Sequence, residues 1–260
     1  MQVLALMYHD VFVGDPAASG FQGPGPDRYK VSTSAFAEHL DAIEASGLVP
    51  RLVVGRRGPE DDVQLLLTFD DGGLSAASET APLLERRGWR GHFFVTTDRI
   101  GTTGFLGEGQ LRALHEAGHV VGSHGHTHRA LTSLEDAEGL REWSESKAIL
   151  EDLLGVAVTT ASVPTGRYSV RVGRLAAEAG LEHVFTGEPW LEPRRVESAL
   201  AYGRFSMYAG TPARRVAALC SLSRPTLVRM GASWYVRRGV KALLGRAYDP
   251  LRARILARAR

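Results

Sequence analysis

Leu65-Leu66-Leu67-Thr68-Phe69-Asp70-Asp71-Gly72-Gly73 is an apolar run closed by two acids and two glycines. The run reads as a β-strand, and the acids then stand at its C-terminal end, where α/β barrels assemble their active sites. Neighbouring strand residues point to opposite faces, so an Asp-Asp pair there can divide its work between holding an ion and sitting beside it. Gly72-Gly73 permits the tight turn that must follow.

Outward from this strand, apolar segments of strand and helix type alternate, which argues for a βα-repeating fold. Val3 to Met7 reads as the first strand and delivers Tyr8-His9-Asp10 to its end. A Gly/Pro-rich loop from Gly14 to Pro26 precedes a helix capped by Ser32 or Thr33, with Phe36, Leu40 and Ile43 at helical spacing. Further helices are expected at Ser75 to Arg87, Glu108 to Glu116, Leu134 to Leu154 and Val170 to Glu178, with Trp143, Ile149 and Leu153 facing inward from the third of these. Strands are expected at His92 to Thr96, His119 to Ser123, Val156 to Val163, His183 to Thr186 and Arg204 to Met207. The expected fold is α/β, a distorted (β/α) barrel over residues 1–208 followed by a basic helical extension over 209–260.

With 260 residues and 44% hydrophobic content, the chain can bury a full core as one catalytic domain. Its single cysteine, Cys220, excludes an internal disulfide and any thiolate-rich metal site, so a metal must be held by nitrogen and oxygen. The apolar run near the N-terminus is too short for a secretory signal or a membrane span and has no basic leader, so a cytoplasmic protein is expected. The net charge of +2 hides an asymmetry: residues 209–260 carry twelve Arg/Lys against Asp249 alone, which leaves residues 1–208 at −9.

The second informative stretch is Gly122-Ser123-His124-Gly125-His126-Thr127-His128, directly after an expected strand. His124 and His128, four apart, can reach one ion from a helical turn or a compact loop. Together with one carboxylate they form a set that leaves coordination positions open, so a water can lose its proton near neutral pH while the cation polarises a carbonyl. Asp70 can take that proton, and His9 can return one to a leaving group because imidazole titrates in the useful range. His126 reads as structural, and His92, His115, His119 and His183 have no partner at ligand spacing. Asp10 either orients His9 or begins the loop.

Thr68-Phe69-Asp70-Asp71-Gly72, the pair His124/His128 and the opening Leu6-Met7-Tyr8-His9 resemble the polysaccharide deacetylase family, the NodB-homology carbohydrate esterases, over about residues 1 to 205. The resemblance implies that Asp70 is the general base and that Asp71, His124 and His128 hold a divalent metal, most often Zn2+ and in related enzymes Co2+ or Ni2+. The early Tyr8-His9 is similar to members with permuted motif order, which passes the general-acid role to His9. The chain departs from the family at Gly125, where Ser or Thr is usual and Thr127 or backbone groups can substitute. It departs again at Ser162-Val163-Pro164-Thr165-Gly166, which lacks the family's Arg and aromatic ring. The Thr165 N–H can still serve as oxyanion donor, since that role needs no particular side chain. Trp190 is a candidate for the family's groove-lining tryptophan. The implied activity is removal of acetyl from an N-acetylated amino sugar, polysaccharide or glycoconjugate; the alternative is an inactive carbohydrate-binding or scaffold protein on the same barrel.

The basic end carries Val236, Val240, Leu243 and Leu244 at helical intervals among Arg237, Arg238, Lys241 and Arg246, after Trp234 and Tyr235. This amphipathic pattern fits a helix packed on the barrel with a solvated cationic face, or a peripheral contact with the cytoplasmic membrane face. No helix-turn-helix, zinc-finger or aromatic RNA-binding pattern accompanies the charge, so nucleic acid is not an expected partner.

Overall fold

The structure is a computed structural model that describes residues 2–53 and 63–244. Its strands are β1 Gln2–Tyr8, β2 Val11–Phe12, β3 Val31–Ser32, β4 Val63–Phe69, β5 His92–Val95, β6 Val120–Ser123, β7 Thr160–Ser162, β8 His183–Phe185, β9 Arg194–Val196, β10 Ala199–Tyr202 and β11 Phe205–Ser206. Its helices are α1 Thr33–Ala45, α2 Ala81–Glu85, α3 Glu108–Glu116, α4 Asp136–Leu154, α5 Val170–Glu178, α6 Ala213–Cys220 and α7 Arg224–Leu244. Nine strands form one sheet in the order β11-β1-β4-β5-β6-β7-β8-β10-β9, parallel except for the antiparallel β9–β10 pair at the edge. β2 and β3 form a separate small ladder.

The sheet curls without closing: β11 and β9 are its two ends and do not pair with each other. On the lower side of this gap a loop replaces a strand, Val3 N–H donating to Leu191 O at 2.7 Å. The barrel is therefore an open one.

Alternation along the strands sorts two layers of core. Leu4, Leu6 and Tyr8 of β1 and Leu65, Leu67 and Phe69 of β4 pack outward with Phe36, Leu40 and Ile43 of α1. Val3, Ala5 and Leu66 point inward against Phe94, Phe185 and Tyr202. A third cluster around Trp143, Val172 and Leu175 joins α4 and α5 to β7 and β8. Ser32 caps α1, its hydroxyl accepting from Ala35 N–H at 3.3 Å.

Several sequence expectations need correction. The boundary at 208 falls inside the packed unit: α6 lies on α1 with Val216, Leu219 and Cys220 buried in the main core, and Leu227 and Met230 of α7 pack against it. The strand expected over Val156 to Val163 shortens to three residues, Ile149 is 37% exposed, and Arg204 is a buried connector before β11. The β9–β10 pair has no counterpart in the sequence reading. Tyr235 and Val236 are exposed, whereas the side chains at 237, 238 and 240–244, and Arg246, lie outside the described residues. No described helix is long and apolar enough to cross a membrane.

Candidate metal centre and active site

Strand register builds the site. β1 pairs with β4 residue for residue from Gln2↔Val63 to Tyr8↔Phe69, so His9 and Asp70 leave adjacent strands at the same level, and Asp70 N–H donates to Tyr8 O at 3.0 Å. β5 pairs Val95 with Ser123, and His124 N–H then donates to Val95 O at 2.8 Å. Ser162 ends β7, which pairs with β6 through Ser123↔Ala161. The functional candidates thus share the carboxyl edge of one sheet, where parallel strands leave their loops free to converge.

Asp71 does not continue the strand. Its φ is +77°, in the left-handed region, and this turn replaces the opposite-face arrangement that an extended Asp70-Asp71 pair would have. His128 at φ +61° and Thr165 at φ +62° share that conformation, so three of the five described non-glycine residues with positive φ are candidate site residues. Such backbone persists only where surrounding structure over-determines it, as at binding sites.

Asp71, His124 and His128 each place one ligand atom within 4.8 Å of the others. Asp71 Oδ1 lies 3.4 Å from His124 Nε2 and 3.3 Å from His128 Nε2, yet this buried oxygen makes no hydrogen bond. A buried, partnerless carboxylate oxygen facing two imidazole nitrogens is the donor set of a two-His, one-carboxylate cation site. The residues therefore fit the metal that the sequence suggested.

The partners of His124 fix which nitrogen faces this centre. Its Nδ1–H points to Ser162 O at 3.0 Å and to Ser162 Oγ at 2.5 Å, leaving the Nε2 lone pair for an ion. Burial opposes charge on His124, but the Asp70 and Asp71 carboxylates outweigh it and raise its pKa. Burial likewise opposes ionisation of Asp71, and His9, His124 and His128 override it to hold the carboxyl well below the usual range.

Asp70 is buried inside the barrel and gripped by Arg204, the residue just before β11. Arg204 Nη1 donates to Oδ1 at 2.7 Å and Nη2 to Oδ2 at 2.8 Å, while Ser162 Oγ donates to Oδ1 at 3.0 Å. Arg204 Nε donates to Thr186 O at 2.8 Å, which locks the guanidinium plane. Burial would raise the Asp70 pKa, but Arg204 and then His124 keep it below the ordinary carboxylate value. The arginine missing at position 162 is thus supplied by Arg204, and Ser162 ties the carboxylate to His124. Sequence reasoning missed Arg204; the available signal was one cation inside the apolar segment Ala199 to Met207.

Glu142 of α4 is the second missed residue. Its Oε2 accepts from His126 N–H at 2.9 Å and Thr127 N–H at 2.8 Å, and its Oε1 accepts from the Thr127 hydroxyl. One buried carboxylate therefore shapes the whole loop between the two histidines. Gly125 follows from the same geometry, because its φ is +74° and a Cβ there would lie 3.1 Å from Pro164 Cγ and 3.3 Å from Glu142 Oε2. His126 turns away and meets Thr97 Oγ1 through Nδ1 at 3.0 Å.

The remaining candidates form the walls. His9 packs against Tyr29 with ring centres 4.5 Å apart and planes tilted by 35°, and its Nδ1 is buried without a partner. Asp10 does not orient His9: its Oδ1 accepts from Ser19 Oγ at 2.5 Å and Ser75 Oγ at 2.7 Å, anchoring the Gly/Pro-rich loop. Buried Lys30 holds the same loop through Pro16 O and Ser19 O at 2.7 and 2.8 Å, and Phe21 from that loop packs against His128 with ring centres 4.7 Å apart. Thr165 is exposed in the Pro164–Gly166 turn beside the histidine loop. Trp190 lies under the Arg194 guanidinium at 3.9 Å and edge-on to Tyr168. His92 and His119 are structural, bonded to Leu67 O and Val53 N–H and to Gly91 N–H and Glu85 respectively.

The family model described as polysaccharide deacetylase matches residues 57–184. Over that stretch the chain is similar to polysaccharide deacetylases. Among curated relatives, the polysaccharide deacetylase homologue YxkH of Bacillus subtilis is 25% identical over 190 residues, covering 71% of this chain and 64% of YxkH. Chitin deacetylase 1 of Cryptococcus neoformans var. grubii is 29% identical over 118 residues, covering 45% of this chain and 24% of that protein. The chain thus spans less than two thirds of the length of either relative. Among solved structures, the polysaccharide deacetylase BC0361 of Bacillus cereus gives a TM-score of 0.71 at 20% identity, covering 85% of this chain and 69% of that one. The Streptococcus pyogenes deacetylase PplD, solved with acetate, gives 0.67 at 19% identity, covering 82% and 96%. At these identities the structural likeness is one of fold, and it matches the open barrel found here.

Proposed function

We propose that this protein is a metal-dependent hydrolase that removes acetyl from the nitrogen of an amino sugar. The observation that carries the reading is the convergence of Asp71, His124 and His128 beside a buried, ionised Asp70. A divalent cation, Zn2+ first and Co2+ or Ni2+ as substitutes, would be held by those three residues and would supply Lewis acidity toward water and the amide carbonyl.

The chain's own groups then have separable tasks. Asp70 Oδ1 is occupied by Arg204 and Ser162, whereas Oδ2 accepts from Arg204 alone, so Oδ2 keeps the lone pair that takes the proton from the attacking water. Arg204 and Ser162 hold that carboxylate at a fixed angle, which shortens the search for a productive geometry. The Thr165 N–H is assigned to the developing oxyanion and His9 to protonation of the departing amine. Phe21 and Tyr29 present ring faces beside His128 and His9, where they shield the reacting groups from bulk water.

Metal analysis of the purified protein, combined with acetate release from a panel of N-acetylated sugars, tests the proposal. Stoichiometric metal with acetate release supports it. Bound metal with no acetate from any sugar favours the alternative of a carbohydrate-binding or scaffold protein. Peripheral docking of the basic end on a membrane surface is a separate part of the proposal, and failure to pellet with anionic vesicles at low salt rejects it.

A further inference from the structure

A cavity of about 350 Å³ lies between the segment after β8, the stretch from Arg204 to Tyr208 and the helices α6 and α7. Its lining includes Arg204, Ser206, Tyr208, Arg215, Arg229 and Trp234, and no acidic residue contributes to it. Arg204 is committed to Asp70, but Arg215 and Arg229 form no ion pair among the described residues, and Arg215 Nε is buried without a hydrogen-bond acceptor. Two guanidinium groups without a carboxylate partner line one cavity, a lining whose charge a bound anion would complete.

The cavity adjoins the proposed chemistry on two sides. Arg204 connects it to Asp70 at 2.7 Å. Tyr208 lies 5.0 Å from Tyr29, which lies 4.5 Å from His9. A group bound in the cavity is therefore one side chain away from the base, through Arg204, and two from the acid, through Tyr208 and Tyr29.

We infer that this cavity is a subsite for a phosphate group attached to the N-acetylated sugar. Phosphate is the anion whose charge and number of acceptor oxygens match two arginines together with the hydroxyls of Ser206, Ser233 and Tyr208. The inference rests on the deacetylase reading for the identity of the reacting sugar, but phosphate binding itself does not require turnover.

The test compares wild type with the Arg215→Gln/Arg229→Gln double variant in the metal-loaded full chain. Calorimetric titrations with N-acetylglucosamine 1-phosphate and with neutral N-acetylglucosamine report binding, and acetate release reports kcat and KM. Wild type should bind the phosphorylated sugar at least tenfold more tightly than the neutral one, and the double variant should bring that ratio close to one, chiefly through KM. Addition of UDP-N-acetylglucosamine and of a prenyl-diphosphate-linked N-acetylglucosamine distinguishes a nucleotide carrier from a lipid carrier of the same phosphate. Equal affinity of wild type for the phosphorylated and neutral sugars overturns the inference, as does an unchanged ratio in the variant. Phosphate-dependent binding without acetate release keeps the subsite and rejects the deacetylase reading.

Discussion

Arg204 and Asp70, 134 residues apart in sequence, form a bidentate ion pair inside the barrel, with both N···O distances below 3 Å. The pair restores to the proposed base what the Ser162 position takes away. Removing the cation should leave a buried carboxylate uncompensated, which costs roughly 3–5 kcal/mol in stability. Arg204→Gln should therefore lower the Tm and shift the acid limb of the pH–rate profile upward as Asp70 loses the group that keeps it ionised. Arg204→Lys should recover charge without the two-pronged grip, giving activity between the two. Identical pH profiles for wild type and Arg204→Gln would refute the positioning role.

Asp70→Asn should separate proton transfer from metal binding, because Asp70 is outside the Asp71/His124/His128 set. Metal content should stay near one per chain while kcat falls by about 10²–10⁴, the usual worth of a positioned general base. His124→Ala should lose the metal outright. Full turnover in Asp70→Asn would remove the base assignment.

Glu142 holds the histidine loop without touching the proposed ion, so its removal should act through metal affinity. Glu142→Ala frees His126 N–H, Thr127 N–H and the Thr127 hydroxyl, and should weaken metal binding by about 10–100-fold, the range found for residues that orient metal ligands. Glu142→Gln keeps acceptor capacity at one oxygen and should lose less. Competition with a chromogenic chelator measures both; equal affinity across the three proteins contradicts the assignment.

Gly125→Ser installs the residue type usual in the family, yet it should not improve this protein. At φ +74°, with Pro164 and Glu142 within 3.3 Å of the added Cβ, the serine costs about 1–3 kcal/mol in backbone strain and crowding. Thermal denaturation should show a lower Tm, and an unchanged or raised Tm would count against the loop geometry.

Acid sensitivity should come from buried histidines before any carboxylate. Burial lowers the His92 pKa from an ordinary value of 6.5 to about 4. Between those values the unfolded chain binds the proton and the folded one does not, so stability rises with pH across this window and falls on acidification, by roughly 3 kcal/mol for the full shift. His39 and His119 are lowered by burial in the same sense. Asp70 and Asp71 add to acid loss only below their unfolded pKa near 3.9, outside this window. Urea midpoints at several pH values should fall from pH 7 to pH 5, and His92→Gln should flatten that slope. Parallel slopes for the two proteins would exclude His92.

Much of the framework was legible because it depends on neighbours along the chain. The runs Val3 to Met7 and Leu65 to Phe69 became β1 and β4, and Ser32 capped α1 where its spacing to Phe36, Leu40 and Ile43 required. Asp71, His124 and His128 could be grouped because each ends or follows an apolar strand, and parallel register carries strand ends to one edge. The short strands were less legible. Thr160–Ser162 and Phe205–Ser206 are too brief to show a period, and the expected inward position of Ile149 failed because α4 packs only a narrow stripe on the sheet.

The sequence by itself determined the long strands β1 and β4, the helices α1, α3, α4 and α5, the Asp-Asp and His-x-x-x-His pairs and the N-terminal His9, since periodicity and local spacing encode them directly. Only the tertiary structure decided that Arg204 and Ser162 secure Asp70, that Glu142 shapes the histidine loop, that Asp10 anchors a loop instead of His9, and that Arg215 and Arg229 line one cavity with Arg204. A buried charge is satisfied by whichever partner lies near it in space, and no spacing along the chain records that proximity.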